Sequence, residues 1–323
     1  MNNSTELTEL EVGVVGLGLM GTSIVVSLLM AGHPVKAIAP IADDFETAAE
    51  RIREQLIHCQ QADLLKMPIE HYEARLMITT DYGKLRPCKI VFECVIEQLD
   101  IKSSVYTNIA AIVHADAIIA SNTSAIAISV LQKLVPHPQR FMGVHWAEPA
   151  YATRFMEITC GAETDLACAE WIFDIAHKWG KEPTLLRKDI RGFITNRLMY
   201  AVYRELFHLV ELGEASYDDV DKVFRYDTGS WITLMGIFRR MDFLGLQDCT
   251  QILQTFLPKL SNSDKVPRIM QEIVATNARG TKNLKGLYTY TKKEAHDWEN
   301  AFAQFNKDIF QLAVAYPYQT QNE

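Results

Sequence analysis

A histidine at position 145 closes the apolar segment FMGVHW (141–146), and a glutamate at 157 lies inside RFMEIT (154–159). If these segments are antiparallel strands joined near Tyr151, residues 145 and 157 fall opposite each other and meet across the hairpin. A carboxylate beside an imidazole fixes its tautomer and raises its basicity. Such a pair can take a proton from an alcohol while hydride leaves the carbon. An ordinary structural pair is the competing reading of the same two residues.

A hydride needs an acceptor, and a second group of residues suits one. Gly16–Gly21 reads GLGLMG, an intact GxGxxG that follows the apolar run VGVV and opens the helical run ending at Gly32. Gly16 permits the tight turn, Gly18 leaves room for a pyrophosphate, and Gly21 allows close helix–sheet approach. The helix N-terminus then faces phosphate charge. The acid expected about 20 residues further on, for the adenosine ribose, is replaced by Ala39. Asp43 and Asp44 come later and suit a helix start, and no arginine follows Ala39 to meet a 2′-phosphate. Two further tracts hold small polar groups: SNTS at 121–124, after an apolar strand, and Asn196–Arg197 in GFITNR, at the start of a helix. Each could contact a substrate oxygen or simply cap a helix.

The elements that would position these groups follow from the apolar pattern. Short strands at 12–16, 35–39, 75–79, 89–95, 118–121, 141–146 and 154–159 alternate with helical runs at 46–66, 101–113 and 165–179. This predicts an α/β Rossmann-like first domain over 1–189. From Phe193 the short strands give way to long helical stretches, 194–212 and 266–278 the clearest, which predicts an all-α second domain over 190–323. The 323 residues suit two domains. With 40 acidic and 32 basic side chains the net charge is −8, which argues against a broad nucleic-acid surface. No uninterrupted apolar stretch is long enough for a membrane span. The six cysteines form no CxxC pair and no secretory signal precedes them, so a reducing, cytoplasmic setting is expected. No metal site is expected, since the nine histidines form no HExxH. Trp171 and Trp179 read as core residues, and Cys94 and Cys160 as buried thiols.

Taken in order, these tracts resemble the 3-hydroxyacyl-CoA dehydrogenase family. The resemblance rests on GLGLMG, ECVIEQLDIK (93–102), SNTS, GVHWAEP (143–149), MEI (156–158), GFITNR (192–197), MDFLGLQD (241–248) and GTKNLKGLYTY (280–290). It implies a Rossmann-like domain joined to a helical dimerisation domain. It also implies reversible, NAD-dependent oxidation of an L-3-hydroxyacyl thioester, with CoA as the expected carrier and fatty acid metabolism as the setting. By motif match, His145 becomes the base, Glu157 its orienting partner, and Ser124 and Asn196 the substrate contacts. Gly16, Gly18, Leu19, Met20, Gly21, Glu97, Lys102 and Asn122 become the NAD-binding set, with Glu97 and Lys102 on the nicotinamide side. A homodimer is implied.

The chain departs from the family pattern in four places, of which the lysine-poor excursion and Glu148 bear on the substrate. Glu148 stands where the family carries Asn, Ala39 replaces the ribose acid, and Ile237 replaces a proline. The excursion after the second strand, RIREQLIHCQQADLLK, is poor in the lysines that members place near CoA, although Arg51, Arg53 and Lys66 could substitute. A short or unusual 3-hydroxyacyl group is therefore expected. A free 3-hydroxy acid, a carrier-protein thioester and a catalytically silent NAD-binding protein stand as alternatives. Arg154 is a candidate partner for Glu148.

Overall fold

The computed structural model describes residues 9–316 and divides the chain into two compact units after Phe193. The first unit runs β1 (Val12–Val15), α1 (Leu19–Met30), β2 (Val35–Ile38), α2 (Ala42–Gln61), α3 (Ile69–Glu73), β3 (Leu76–Thr79) and β4 (Ile90–Glu93). It continues with α4 (Leu99–Ala110), β5 (Ile118–Ser121), α5 (Ile128–Leu131), β6 (Phe141–Trp146), β7 (Phe155–Cys160), α6 (Leu166–Lys178) and β8 (Glu182–Leu186). One eight-stranded sheet has the order β3-β2-β1-β4-β5-β6-β7-β8. Strands β1 to β6 are parallel, β7 is antiparallel to β6, and β8 runs parallel to β7.

The short apolar strands adopt this form because both faces of the sheet are covered. Every residue of β1, β4 and β5 is buried, as a parallel sheet packed on two sides requires. Helix α1 is buried from Gly21 to Leu29. Helix α2 instead buries only Ala48, Ile52, Leu56 and Cys59, one stripe at helical spacing. It starts at Ala42, ahead of the expected 46, with Asp43 and Asp44 in its first turn, where carboxylates complement the helix dipole. Pairing continues to β8, a strand the sequence pattern does not announce. Pro183 lies within it, which an edge position tolerates.

The core behind β6 is aromatic. Trp146 and Trp179 stack with centroids 5.5 Å apart and planes at 20°, and Phe92 meets both edge-on. Trp179 Nε1 donates to His33 Nε2 at 2.7 Å, so that nitrogen is an acceptor. His33 Nδ1 then carries the hydrogen and donates to the Leu10 carbonyl at 2.9 Å.

The second unit is helical: α7 (Phe193–Glu211, its first residue still in the first unit), α8 (Tyr217–Val223), a π-turn at 224–228, α9 (Gly229–Met235), α10 (Ile237–Leu244), α11 (Leu246–Phe256), α12 (Arg268–Ala275) and α13 (Lys292–Ala315). Gly236 at φ 73° and Gly245 at φ 97° separate α9, α10 and α11 in the left-handed region that other residues avoid. Ser216 opens α8 with a capping box to Asp219. Among the described side chains of this unit only Val220, Cys249 and Ala295 are buried. No described helix is long and apolar enough to cross a membrane.

Candidate active site

The glycine turn is built as its spacing predicts. Gly16 sits at φ 93°, and a Cβ on Gly21 would lie 1.8 Å from the Gly16 carbonyl oxygen, so helix and turn approach too closely for any side chain. Nothing lies within 4 Å of a Cβ at Gly18, which leaves that face of the turn open. No side chain caps α1, so its first amides are available to an anion. Leu19, 62% exposed, and Met20 form the first turn over this opening. These features fit a dinucleotide pyrophosphate.

The ribose side differs from the usual pattern. Ala39 is buried, with its amide donating to the Thr79 carbonyl, and supplies no carboxylate. Arg51 reaches from α2 to the turn, where it donates to the Leu17 carbonyl at 3.1 Å and to Asp44 at 3.3 Å. Arg53 gives both oxygens of Glu73 a hydrogen bond at 2.6 Å. Each of these arginines therefore already has a carboxylate partner within its own excursion, and Arg51 a second partner in the glycine turn.

On the other side of the switch between β1 and β4, the strand ends carry the polar groups. Glu93, at the end of β4, is fully buried and accepts from Val95 N at 2.8 Å, Lys102 Nζ at 2.7 Å, Tyr106 Oη at 2.6 Å and Ser121 Oγ at 2.7 Å. Burial, and then the charge of Glu93, push the Tyr106 phenol far up. Lys102 also lies 3.4 Å from Glu97. Glu97 in turn accepts from Thr123 Oγ1 at 2.7 Å and from the Ser124 amide at 2.9 Å. Asn122 accepts the Trp146 amide at 2.9 Å and so ties the SNTS turn to the end of β6. Glu97, Lys102, Asn122 and Ser124 thus share one hydrogen-bonded assembly. Glu93, Tyr106 and Ser121 are part of it although their spacing does not single them out; only the pairing of β4 with β5 brings Glu93 beside Ser121.

The hairpin register places His145 directly opposite Glu157. Glu157 is fully buried and His145 is 21% exposed, with Nδ1 3.5 Å from the Glu157 carboxylate. That is longer than a hydrogen bond, and the buried Nδ1 has no other hydrogen-bonding partner. Pairs of this kind tighten in the reacting complex. The Phe193 ring lies against the imidazole with centroids 5.9 Å apart. Phe193 holds φ 51° directly after Gly192 at 81°, an uncommon conformation for a bulky residue.

Two ties hold the turn between the strands. The Ala150 amide donates to Ser23 Oγ of α1 at 2.7 Å. Buried Lys181 donates to the carbonyls of Ala150 and Thr153, the latter at 2.6 Å. Desolvation, then the charge of Arg154, lowers the Lys181 pKa to about 7. Glu148, joined to Pro149 by a cis bond, is exposed, and Arg154 pairs with Glu182. Asn196 lies on the first turn of α7, in the second unit. No group of acids, histidines and cysteines suited to a metal occurs among the described residues.

Comparison with known proteins places the chain in a family. Residues 11–190 match the 3-hydroxyacyl-CoA dehydrogenase NAD-binding domain, and residues 192–290 match the C-terminal domain of the same enzymes. A curated relative, 5-formyl-3-hydroxy-2-methylpyridine 4-carboxylate 5-dehydrogenase of Mesorhizobium japonicum, is 30% identical over 88% of this chain and 91% of its own length. The probable 3-hydroxybutyryl-CoA dehydrogenase of Deinococcus radiodurans is 27% identical over 86% of this chain and 99% of its own. A crystal structure of a 5-formyl-3-hydroxy-2-methylpyridine 4-carboxylic acid 5-dehydrogenase, described as an NAD+-dependent dismutase, superposes with a TM-score of 0.87 at 26% identity, covering 95% of this chain and 99% of that one. With both domains matched in order, the chain belongs to the 3-hydroxyacyl-CoA dehydrogenase-like family of NAD-dependent oxidoreductases.

Proposed function

We propose that the chain interconverts the hydroxyl and carbonyl forms of a 3-hydroxyacyl-type substrate, with His145 as general base and acid. The observation that carries this reading is the cross-strand register of His145 and Glu157 at the end of a sheet whose first turn fits a dinucleotide. NAD, when bound, supplies the hydride acceptor. His145 Nε2 takes the hydroxyl proton, and in the reverse direction returns it to the developing alkoxide. Glu157, dry and opposite Nδ1, offsets the imidazolium charge. Ser124 orients a substrate oxygen from the turn that Glu97 anchors, and Asn196 adds a second contact by its place in the family motif. The test is the rate of the hydride step in His145→Gln with substrate and cofactor saturating. A near-normal rate would remove His145 from the mechanism.

The motifs imply a CoA thioester, and a second reading, a compact free hydroxy acid, has two observations in its favour. Over residues 42–73 the chain carries eight acids (Asp43, Asp44, Glu46, Glu50, Glu54, Asp63, Glu70, Glu73) against three bases (Arg51, Arg53, Lys66). Arg51 and Arg53 are already bound to Asp44 and Glu73. A surface of that sign repels the phosphates of CoA. The Mesorhizobium relative's named substrate is itself a free carboxylate. Catalytic efficiencies for acetoacetyl-CoA, a long-chain 3-ketoacyl-CoA, a carrier-protein thioester and a free 3-keto acid separate the two readings. Preference for the long-chain CoA would defeat the compact-acid reading.

The homodimer implied by the family is supported by the second unit's apolar side chains. Phe238, Phe243 and Tyr226 are 82, 76 and 72% exposed there, large apolar side chains that association would cover. Light scattering should give about twice the chain mass of 36.6 kDa at micromolar concentration.

A further inference from the structure

The buried carboxylate of Glu93 is a charge that the proton-transfer chemistry does not use. Its Oε1 accepts from a backbone amide and an ammonium, neither of which can accept in return, and its Oε2 takes two hydroxyls. Glu93 and Lys102 are 0 and 1% exposed, so the pair is a dry ion pair completed by hydrogen bonds. Yet Lys102 also lies within ion-pair distance of a second carboxylate, Glu97, which is 38% exposed. Two carboxylates share one ammonium.

The topology locates this assembly. Ligands in such sheets cross the crevice at the strand ends where the order reverses. Here that point lies between β1 and β4. The open glycine turn after β1 takes the pyrophosphate, and β2 and β3 continue on one side of it. On the other side stand β4, β5 and β6, ending in Glu93, Ser121 and the His145–Trp146 pair. Hydride must pass near His145, so the nicotinamide belongs on this second side, beside Glu97 and the SNTS turn.

We propose that Glu93, Lys102 and Glu97 form a charge-setting assembly whose one surplus negative charge favours the oxidised, positively charged nicotinamide over the reduced, neutral one. This rests on the dinucleotide reading of the site. Glu93 is a positioning residue: it draws Lys102 away from Glu97, leaving the exposed carboxylate only partly neutralised. Glu97 carries the charge to the cleft and holds the Ser124 turn.

Glu93→Gln tests the charge with little change of shape. The amide oxygen can keep Val95 N and Lys102, while its NH2 donates to the hydroxyls of Tyr106 and Ser121, which can accept. The measurement is the dissociation constant of NAD+ and of NADH, each by tryptophan fluorescence, for the wild type, Glu93→Gln, Lys102→Met and the double variant. At an effective dielectric of about 20–40, one unit of charge in this neighbourhood changes the ratio Kd(NAD+)/Kd(NADH) by roughly 5- to 30-fold. Glu93→Gln should raise that ratio, Lys102→Met should lower it, and the double variant should return it near the wild-type value. Glu97→Gln, at an exposed position, should follow Glu93→Gln and decides the matter if the buried variants do not fold. Equal weakening of both nucleotides, or shifts of the same sign in Glu93→Gln and Lys102→Met, would overturn the proposal and leave Glu93 a packing residue. Wild-type protein binding neither nucleotide would overturn the dinucleotide reading itself, and the proposal with it.

Discussion

Strands β1, β4 and β5 of the first unit are buried along their whole length, whereas Phe243 in the second unit is three-quarters exposed and only three described side chains of that unit are buried. The first unit buries the strands of its sheet and supplies hydrogen bonds to two buried charged groups: Glu93 has four donors and Lys181 two carbonyls. The second unit caps α8 through Ser216 and α13 through Thr291, but leaves most of its described apolar side chains uncovered. The groups that must be held to a fraction of an ångström for proton transfer lie in the region with a complete interior. The region without one is suited to be completed by association.

The largest effects should fall on the first unit's chemistry. His145→Gln and Glu157→Gln should each slow the hydride step by about 10²- to 10⁴-fold while NADH binding persists. Single-turnover absorbance at 340 nm reads that step directly. A loss of similar size from a surface change such as Phe238→Ser, measured with the protein fully assembled, would break the division between the units.

Stability should divide the same way. Trp179→Ala removes a stacked, hydrogen-bonded ring from the core and should cost about 3–5 kcal/mol, independent of protein concentration. Phe243→Ala should shift the melting temperature chiefly through assembly, so its effect should depend on protein concentration. If both variants lose the same stability at every concentration, the second unit owes nothing to association.

A smaller effect follows from Lys181. Its pKa stands at about 7 in the folded chain against an ordinary 10.5. Between those values the unfolded chain binds a proton that the folded chain has released, so stability rises with pH, by at most about 1.4 kcal/mol per unit. Below pH 7 both states hold the proton, and the folded state bears the full cost of the buried charge. Urea unfolding of the wild type and of Lys181→Met at pH 7 and 9 should show a rise in the first that is reduced in the second. Equal slopes would place the titration elsewhere.

The smallest effect concerns the ribose side. Ala39 offers no carboxylate to NADH, and Arg51, the cation at the turn, is held by Asp44 and the Leu17 carbonyl. NADH should bind more tightly than NADPH, by no more than about tenfold. Clearly tighter NADPH binding would contradict this.

Much of this arrangement is legible in the chain, for physical reasons that differ from place to place. The turn at 16–21 is readable because backbone conformation at Gly16 and close approach at Gly21, where a Cβ would lie 1.8 Å from a carbonyl oxygen, exclude a side chain, while Gly18 leaves the outer face open. The His145–Glu157 contact is readable because hairpin register converts sequence spacing into position. Strand β8 is not readable, since EPTLL neither alternates nor forms a β-branched run, and its pairing depends on β7 already being in place. The Glu93–Lys102 pair is also hidden: one end of it lies on a strand and the other on a helix, and no local period connects them. Glu148 illustrates the opposite difficulty. Its charge stands out in the sequence, but the residue is exposed and the nearby arginine pairs with Glu182.

The stacked rings of Trp146 and Trp179 have an optical consequence. Two indoles with centroids 5.5 Å apart are close enough to couple their excited states, and a skew between their transition dipoles gives a paired, opposite-signed circular dichroism band that a separated pair lacks. One of these rings belongs to the residue next to His145, on the strand that carries it. The band therefore serves as a built-in gauge of whether the hairpin beneath the histidine is correctly paired. It can be read in any variant, active or not, without a label.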